Sequence, residues 1–313
     1  MKAVLHYAPG PVLRRLIDAQ DGPLRIEAVD PADAAGLAVA LADAEVLLHV
    51  LAPVTAAVID AAPALRLVQK MGVGTDAIDI PRASARGIAV CNMPGTNTAA
   101  VAEMTLALML AALRQLPLLS GLVDAGAPGW SRTGAVGDGL REIAGTRVGF
   151  LGYGAVPRRL APVLRALGAE VVAFSRTAPD DGTPALGLEA LLASSDIVSV
   201  HLPGGAATER LLDRDRIGQM KPGAVLVNTA RGSIVDEAAL AEALASGQLA
   251  AAGLDVFAAE PPRPDNPLLA LPNVVRTPHV AWLTADTLRR SIAVAVENAR
   301  RLRDGEPLLH RVA

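Results

Sequence analysis

Short apolar runs alternate with helix-forming stretches along almost the whole chain, and that alternation restricts the fold more than any other feature. KAVLHYA, LRIEAVD, EVLLHVLA, LRLVQKMG and IAVCNM read as buried strands, with helical stretches such as PVLRRLIDAQ and TAAVIDAAP between them. A strand, a helix and a further strand in succession form a right-handed crossover, so a run of them predicts a parallel sheet. A second series starts at RVGFLGYG and continues through EVVAFSR, IVSVHLP, AVLVNTA, LAAAGLDV and VVRTP. Two series in one chain of 313 residues predict an α/β protein with two doubly wound parallel-sheet domains.

Between the series, TAAVAEMTLALMLAALRQL (98–116) predicts one long helix that is apolar nearly all round. A helix without a polar face is covered on several sides: by its own sheet, by a partner subunit, or by both. The stretch after it, PLLSGLVDAGAPGWSRTG, reads as a loop that could form an arm, and the two together predict a homodimer. A final helix is expected over LTADTLRRSIAVAVENARRL (283–302), and the domains are expected to join by short crossings near 95–98 and 280–284.

Composition narrows the classes of function. Hydrophobic residues make up 51% of the chain, yet no uncharged apolar run reaches the roughly 18 residues of a membrane span. The N-terminal MKAVLHYAPG enters a strand pattern without a signal-peptide layout. A net charge of −3 with no long basic run argues against a nucleic-acid partner. The lone Cys91, inside apolar IAVCNM, excludes an intrachain disulfide, reads as core filling and fits a reducing cytoplasm.

VGFLGYGAVPRRLA (148–161) reads as a buried strand, a Gly-x-Gly bend and a helix start. Gly152 permits the tight turn, and Gly154 lets the backbone approach a pyrophosphate at the helix N-terminus. Pro157 stands where a small residue is usual. A proline in the first helical turn lacks an N–H that had no partner there anyway. A bare Gly-x-Gly also fits a harmless turn. Here it follows a strand, opens a helix and precedes a second strand, which favours a dinucleotide.

The end of that second strand carries Ser175, Arg176 and Thr177, where enzymes selective for NAD place an acidic residue for the ribose hydroxyls. Two hydroxyls and a guanidinium suit a 2′-phosphate, so NADP(H) is the expected cofactor, with NAD(H) possible. The other reading of Arg176 is a solvated arginine at a strand end.

Downstream lie three residues with complementary chemistry: Arg231 in VNTARGSIVDE, Glu260 in GLDVFAAEPP and His279 in RTPHVAW. A guanidinium clamps a carboxylate in a two-pronged grip. A carboxylate beside an imidazole orients it and favours its cation, which can pass a proton near neutral pH. Beside a nicotinamide, such parts interconvert a 2-hydroxy acid and a 2-oxo acid. Taken singly, Glu260 also reads as a solvated loop acid and Arg231 as half of a surface ion pair. His6, His49, His201 and His310 lack the constellation, and no proton-transfer role is expected of them.

The chain resembles the D-isomer-specific 2-hydroxyacid dehydrogenases, a family that includes glyoxylate, hydroxypyruvate and phosphoglycerate dehydrogenases. MGVGTDAIDI (71–80), CNMPGTNTAAVAE (91–103), the dinucleotide turn, SDIVSVHLP (195–203), MKPGAVLVNTARGSIVDEAAL (220–240), GLDVFAAEPP and TPHVAW follow the family's order. The resemblance implies a Rossmann dinucleotide-binding domain (98–282) inserted into a flavodoxin-like substrate domain (1–97 and 283–313). It implies that His279 protonates the carbonyl oxygen during reduction, that Glu260 keeps the imidazole charged, and that Arg231 binds the substrate carboxylate. Backbone N–H groups at Val73 and Gly74 would hold the carboxylate's other side. At the cofactor it implies Ala155 and Val156 at the pyrophosphate, Ser175 to Thr177 at the adenosine ribose, and Leu202, Pro203 and Thr208 near the adenine. Thr229, Ala230, Arg231, His279 and Asp255 would lie by the nicotinamide, Asp255 holding the carboxamide. Formate dehydrogenases of similar fold pair the histidine with glutamine, so Glu260 favours hydroxy-acid chemistry.

The loop LAPVTAA (51–57), expected at the substrate, carries no Arg or Lys. Phosphoglycerate-type enzymes read a phosphate with basic groups there and often carry an extra regulatory domain, not expected in 313 residues. A small 2-oxo acid such as glyoxylate, hydroxypyruvate or pyruvate is therefore the expected substrate. Trp282 reads either as a substrate wall or as packing at the domain crossing. The alternative of another class is an NAD(H)-binding corepressor of the same fold, which keeps the catalytic set and a Trp three residues after the histidine.

Overall fold

The computed structural model describes residues 1–313 apart from 133, 135, 136 and 138. The chain divides into two compact units, Met1–Asn97 with Trp282–Ala313, and Thr98–Ala281.

In the first unit β1 (Lys2–His6), β2 (Arg25–Val29), β3 (Val46–His49), β4 (Leu67–Lys70) and β5 (Ala89–Cys91) form one parallel sheet in the order β2-β1-β3-β4-β5. This is the flavodoxin-like order, with its switch point between β1 and β3. Helices α1 (Pro11–Asp18), α2 (Ala34–Leu41), α3 (Ala56–Asp60) and α4 (Ile80–Ala85) fill the crossovers. Side chains alternate along each strand, so the sheet has two apolar faces. Leu5, Leu48 and Leu67 pack with Leu288, Ile292 and Ala295 of the C-terminal helix on one face. Val4, Leu47 and Val68 pack with Leu41, Ile59 and Ala83 on the other. Cys91 is buried in the first of these clusters, and desolvation pushes its thiol up to about 11, so it is core and not nucleophile.

The second unit opens with α5 (Thr98–Leu113), α6 (Leu116–Asp124) and α7 (Ala127–Trp130). The helix expected over 98–116 forms as α5 but ends three residues early at Leu113, and α6 leaves it at a bend of 59°. Pro117 explains the break: its ring, in a continuing helix, would clash with the carbonyl of Leu113. That carbonyl instead accepts from the Arg141 N–H at 3.0 Å, and Gln115 turns the chain at φ 48°. The segment read as a loop is largely helical, and its Thr133 lies outside the described residues. No single helix among the described residues is long and apolar enough to cross a membrane. The bent pair α5–α6 passes on length and composition, but α5 buries Leu108, Met109 and Leu113 in the protein core.

Six parallel strands follow: β6 (Arg147–Leu151), β7 (Glu170–Phe174), β8 (Ile197–Val200), β9 (Ala224–Asn228), β10 (Leu249–Leu254) and β11 (Val274–Arg276). Their order is β11-β10-β9-β8-β6-β7, so the switch point lies between β6 and β8. Helix α8 (Ala155–Ala166) and α5 cover one face; α9 (Leu188–Ser194), α10 (Arg214–Gly218) and α11 (Glu237–Ala245) cover the other. The chain then re-enters the first unit through α12 (Ala285–Asp304), capped by the Thr284 side chain and stopped by Gly305 at φ 73°.

Candidate active site

Ligands of doubly wound sheets bind beyond the carboxyl ends of the strands at the switch point, and the glycine turn lies there in the second unit. Gly152 has φ 92°, and a Cβ on it would meet the carbonyl oxygen of His201 at 2.7 Å. Only glycine fits, and its absent side chain lets the His201 backbone and the Leu202 side chain approach the turn. Gly154 is the N-cap of α8, with nothing within 4 Å of where its Cβ would stand. The α8 N-terminus, with Ala155 and Val156 as its first residues, thus has the orphan N–H groups, the positive dipole end and the open space that a pyrophosphate requires. The Thr208 hydroxyl donates to the Pro203 carbonyl at 2.7 Å and fixes the neighbouring loop.

At the end of β7, Ser175 is half-buried and its hydroxyl donates to the Thr177 carbonyl, closing a tight bend. The side chains of Arg176 and Thr177 are exposed beside it. These residues fit the adenosine end of a dinucleotide and place a cation there.

His279 and Glu260 come together although 19 residues separate them. Nδ1 of His279 lies 2.6 Å from Oε2 of Glu260, and the other carboxylate oxygen accepts from the Phe257 N–H at 3.1 Å. Burial by itself would raise the carboxyl pKa of Glu260. The bond to His279 and its charge outweigh that, with help from the Phe257 N–H and Arg231, so Glu260 titrates below its ordinary value. It is a carboxylate at neutral pH, and with Nδ1 engaged, Nε2 is the nitrogen left for proton transfer.

The turn bearing the histidine is built by Asp255. This residue is fully buried, and its carboxylate accepts from the Thr277 hydroxyl at 2.6 Å and the N–H groups of Val280 and Ala281 at 2.9 Å. Its backbone carbonyl accepts from the His279 N–H at 2.7 Å. His279 itself is held at φ 52°, a conformation that costs a non-glycine residue energy and persists where its surroundings enforce it. The same carboxylate on which the family resemblance implies a carboxamide contact thus also supports the histidine turn.

Arg231 leaves the end of β9 in extended conformation, φ −146°. Asn228, 1% exposed, holds this corner with both ends of its amide: Nδ2 donates to the Arg231 carbonyl at 2.8 Å, and Oδ1 accepts from the Ala230 N–H at 2.9 Å. A guanidinium nitrogen of Arg231 donates to the Ala230 carbonyl at 2.7 Å. A Cβ on Gly232 would stand 1.9 Å from the carbonyl carbon of Phe257, so the Arg231 and Glu260 segments pack backbone to backbone. Thr229 is tied to α5 by a hydroxyl–hydroxyl contact with Thr105 at 2.9 Å. Asn228 and Thr277 escaped the sequence reading; for Asn228 the signal was a polar residue ending a buried strand.

In the first unit the Val73–Gly74 turn is held from both sides. Asn92 donates to the Val73 carbonyl at 3.0 Å, and the Met93 N–H donates to the Gly72 carbonyl at 2.7 Å. Val73 is 46% exposed. The Trp282 ring meets Tyr7 edge-on at 6.3 Å and packs against the first unit's core. His6 and His49 are buried, and desolvation lowers both, His49 to about 3. His201, edge-on to Phe150 and hydrogen-bonded to Ser199 at 2.9 Å, is likewise pushed to about 3 by desolvation.

Among proteins of known family, residues 106–281 match the NAD binding domain of the D-isomer specific 2-hydroxyacid dehydrogenases. A D-3-phosphoglycerate dehydrogenase of Archaeoglobus fulgidus is 42% identical over 264 residues, 83% of this chain and 49% of that protein. The chain thus spans about half the length of that relative. A hydroxypyruvate reductase of Thermotoga maritima is 37% identical over 241 residues, 76% of this chain and 77% of that protein. The crystal structure of an NADPH-dependent glyoxylate/hydroxypyruvate reductase from Sinorhizobium meliloti, in complex with NADP and malonate, superposes with a TM-score of 0.84 at 31% identity. That match covers 100% of this chain and 96% of that one. The shared dinucleotide-binding half and these relatives of comparable length establish that the chain belongs to the D-isomer-specific 2-hydroxyacid dehydrogenase family.

Proposed function

We propose that the protein reduces a small 2-oxo acid to the D-2-hydroxy acid, and runs the reverse oxidation, with a nicotinamide dinucleotide. The observation that carries this reading is the 2.6 Å contact between His279 and an ionised Glu260, joined by backbone packing to the corner that bears Arg231. The nicotinamide supplies or takes the hydride when bound. Negative charge grows on the carbonyl oxygen as the carbon is reduced, so His279 is assigned the donor of a proton to that oxygen. Arg231 is assigned the grip on the substrate carboxylate, and Val73 and Gly74 the backbone donors of the first unit, the substrate-binding domain. The second unit is the cofactor domain. Glyoxylate, hydroxypyruvate and pyruvate are the preferred substrates, supported by the uncharged loop 51–57 and by the names of two relatives. Steady-state kinetics on these acids and on 3-phosphohydroxypyruvate, each with NADPH and NADH, tests the reading. Turnover of none of them would overturn it.

Glu260 orients the His279 ring through the 2.6 Å contact at Nδ1. Glu260→Gln leaves an uncharged and weaker partner there, so kcat/KM for reduction should fall about 10- to 100-fold through misplacement of the imidazole, with dinucleotide affinity unchanged. Unchanged kcat/KM would show that Glu260 does not act through His279.

NADPH is the proposed preferred cofactor. Arg176 supplies charge where the 2′-phosphate would lie, and the aligned S. meliloti reductase is NADPH-dependent. One charge-assisted bond contributes about 1.5–3 kcal/mol when screened little, and this exposed side chain should give less. Arg176→Ala should raise KM for NADPH several-fold and leave KM for NADH nearly unchanged. Equal kcat/KM for both cofactors in the unaltered enzyme contradicts this preference.

A homodimer is proposed around α5 and the helices after it. Helix α6 has no buried residue, and Leu116, Val123 and Trp130 are 50%, 62% and 66% exposed. Exposed apolar side chains grouped in this way mark an association surface. Light scattering at micromolar concentration should give twice the chain mass of 32.1 kDa.

A further inference from the structure

Arg158, in α8, makes an ion pair that the roles assigned above leave unused. Its guanidinium lies over the ring of Tyr153, 5.2 Å from the centroid, and pairs with Asp180 in the loop after β7. Tyr153 is the middle residue of the glycine turn and is 8% exposed. Its hydroxyl donates to Asp181 at 2.6 Å and contacts the Thr183 hydroxyl at 2.7 Å, and the Thr183 N–H donates to Asp181 at 3.1 Å. Arg165 reaches the same hydroxyl of Thr183. The loop after β7 is thereby fastened to the glycine turn at Asp181 and Thr183.

Asp180 differs sharply from its neighbour. Its side chain is 79% exposed and that of Arg158 39% exposed, and a pair so wet is held weakly and exchanges readily. It sits three residues beyond Thr177, in the loop that begins with Ser175–Arg176–Thr177. In a doubly wound dinucleotide site the ribose 2′ position lies at the end of the second strand, and the pair with Asp180 ties Arg158 to the loop that leaves that strand end. A guanidinium binds a phosphate dianion through more charge and more acceptor oxygens than one carboxylate offers.

We propose that Arg158 is a second cationic determinant for the 2′-phosphate of NADP(H), and that Asp180 is its resting partner, exchanged for the phosphate when the cofactor binds. This rests on reading the second unit as a dinucleotide domain with Arg176 at the same phosphate. Asp180 then opposes NADP(H) by occupying Arg158. The sequence reading, which looked for an acidic residue only at the strand end, passed over it.

Calorimetric titration of the full chain with NADP+ and with NAD+, which differ by the 2′-phosphate alone, tests this without turnover. Arg158→Gln should weaken NADP+ binding by about tenfold, the size of one modest charge-assisted contact, with NAD+ affinity unchanged as the control for folding. Asp180→Asn should tighten NADP+ binding by roughly threefold, and that gain should vanish in the double variant. Equal weakening toward both cofactors in Arg158→Gln would overturn the proposal, leaving Arg158 a support of Tyr153. Weaker NAD+ binding in Asp180→Asn would also overturn it, making Asp180 an acceptor for the ribose hydroxyls. If Arg176→Ala loses NADP+ affinity while Arg158→Gln does not, this inference fails and the cofactor preference stands; an unaltered chain that binds both equally defeats both.

Discussion

Replacing His279 by alanine is expected to lower kcat for 2-oxo acid reduction by about 10²- to 10⁴-fold, the range for a lost general acid, with dinucleotide affinity nearly intact. The expectation follows from geometry. Nδ1 is fixed by Glu260 at 2.6 Å, and the backbone is fixed by the bond from its N–H to the Asp255 carbonyl at 2.7 Å. Alanine keeps the second of these and loses the proton donor, so chemistry should suffer far more than folding. Single-turnover reduction with enzyme in excess, beside a cofactor titration, separates the two effects. A variant with kcat near the starting value would remove His279 from the mechanism.

Asp255→Asn should cost both activity and stability, which sets it apart from the change at His279. The native carboxylate accepts from one hydroxyl and two backbone N–H groups in a fully buried setting. An asparagine offers one acceptor oxygen, and its NH₂ would face a donor. Leaving buried donors unpaired costs about 1–3 kcal/mol each, so thermal and denaturant unfolding should show a loss of roughly 2–4 kcal/mol. The turn at Val280 and Ala281 would relax, His279 would lose its enforced φ of 52°, and kcat should fall about 10- to 100-fold through misplacement. Burial holds the Asp255 carboxyl above its usual range despite its donors, so a buried charge in this position carries a solvation cost that its partners offset only in part. Thr277→Val, which removes only the hydroxyl, should show a smaller version of both effects. If Asp255→Asn instead weakened cofactor binding alone and left unfolding unchanged, the carboxamide role implied by the family resemblance would be the better account.

Strand identity was legible in the sequence because it is local. The eleven strands among the described residues lie within runs such as EVLLHVLA and IVSVHLP, and the inner strands, covered on both faces, are apolar at nearly every position. The glycine turn was equally legible, because a strand, a left-handed glycine and a helix start are consecutive. His279, Glu260 and Arg231 could be named from their motifs, but their distances could not. What brings Glu260 to His279 is the packing of Gly232 on Phe257 and the burial of Asp255 under the 277–281 turn, and no local pattern encodes either. The helices after Pro117 were misread as a loop because Pro117, Gly121, Gly126 and Pro128 are turn-forming residues, although a proline is tolerated in the first turn of a new helix, where Pro117 stands. The pairing of Arg158 with Asp180 belongs to tertiary structure alone: 22 residues separate them, and only the parallel packing of β6 with β7 sets the α8 start beside the loop after β7.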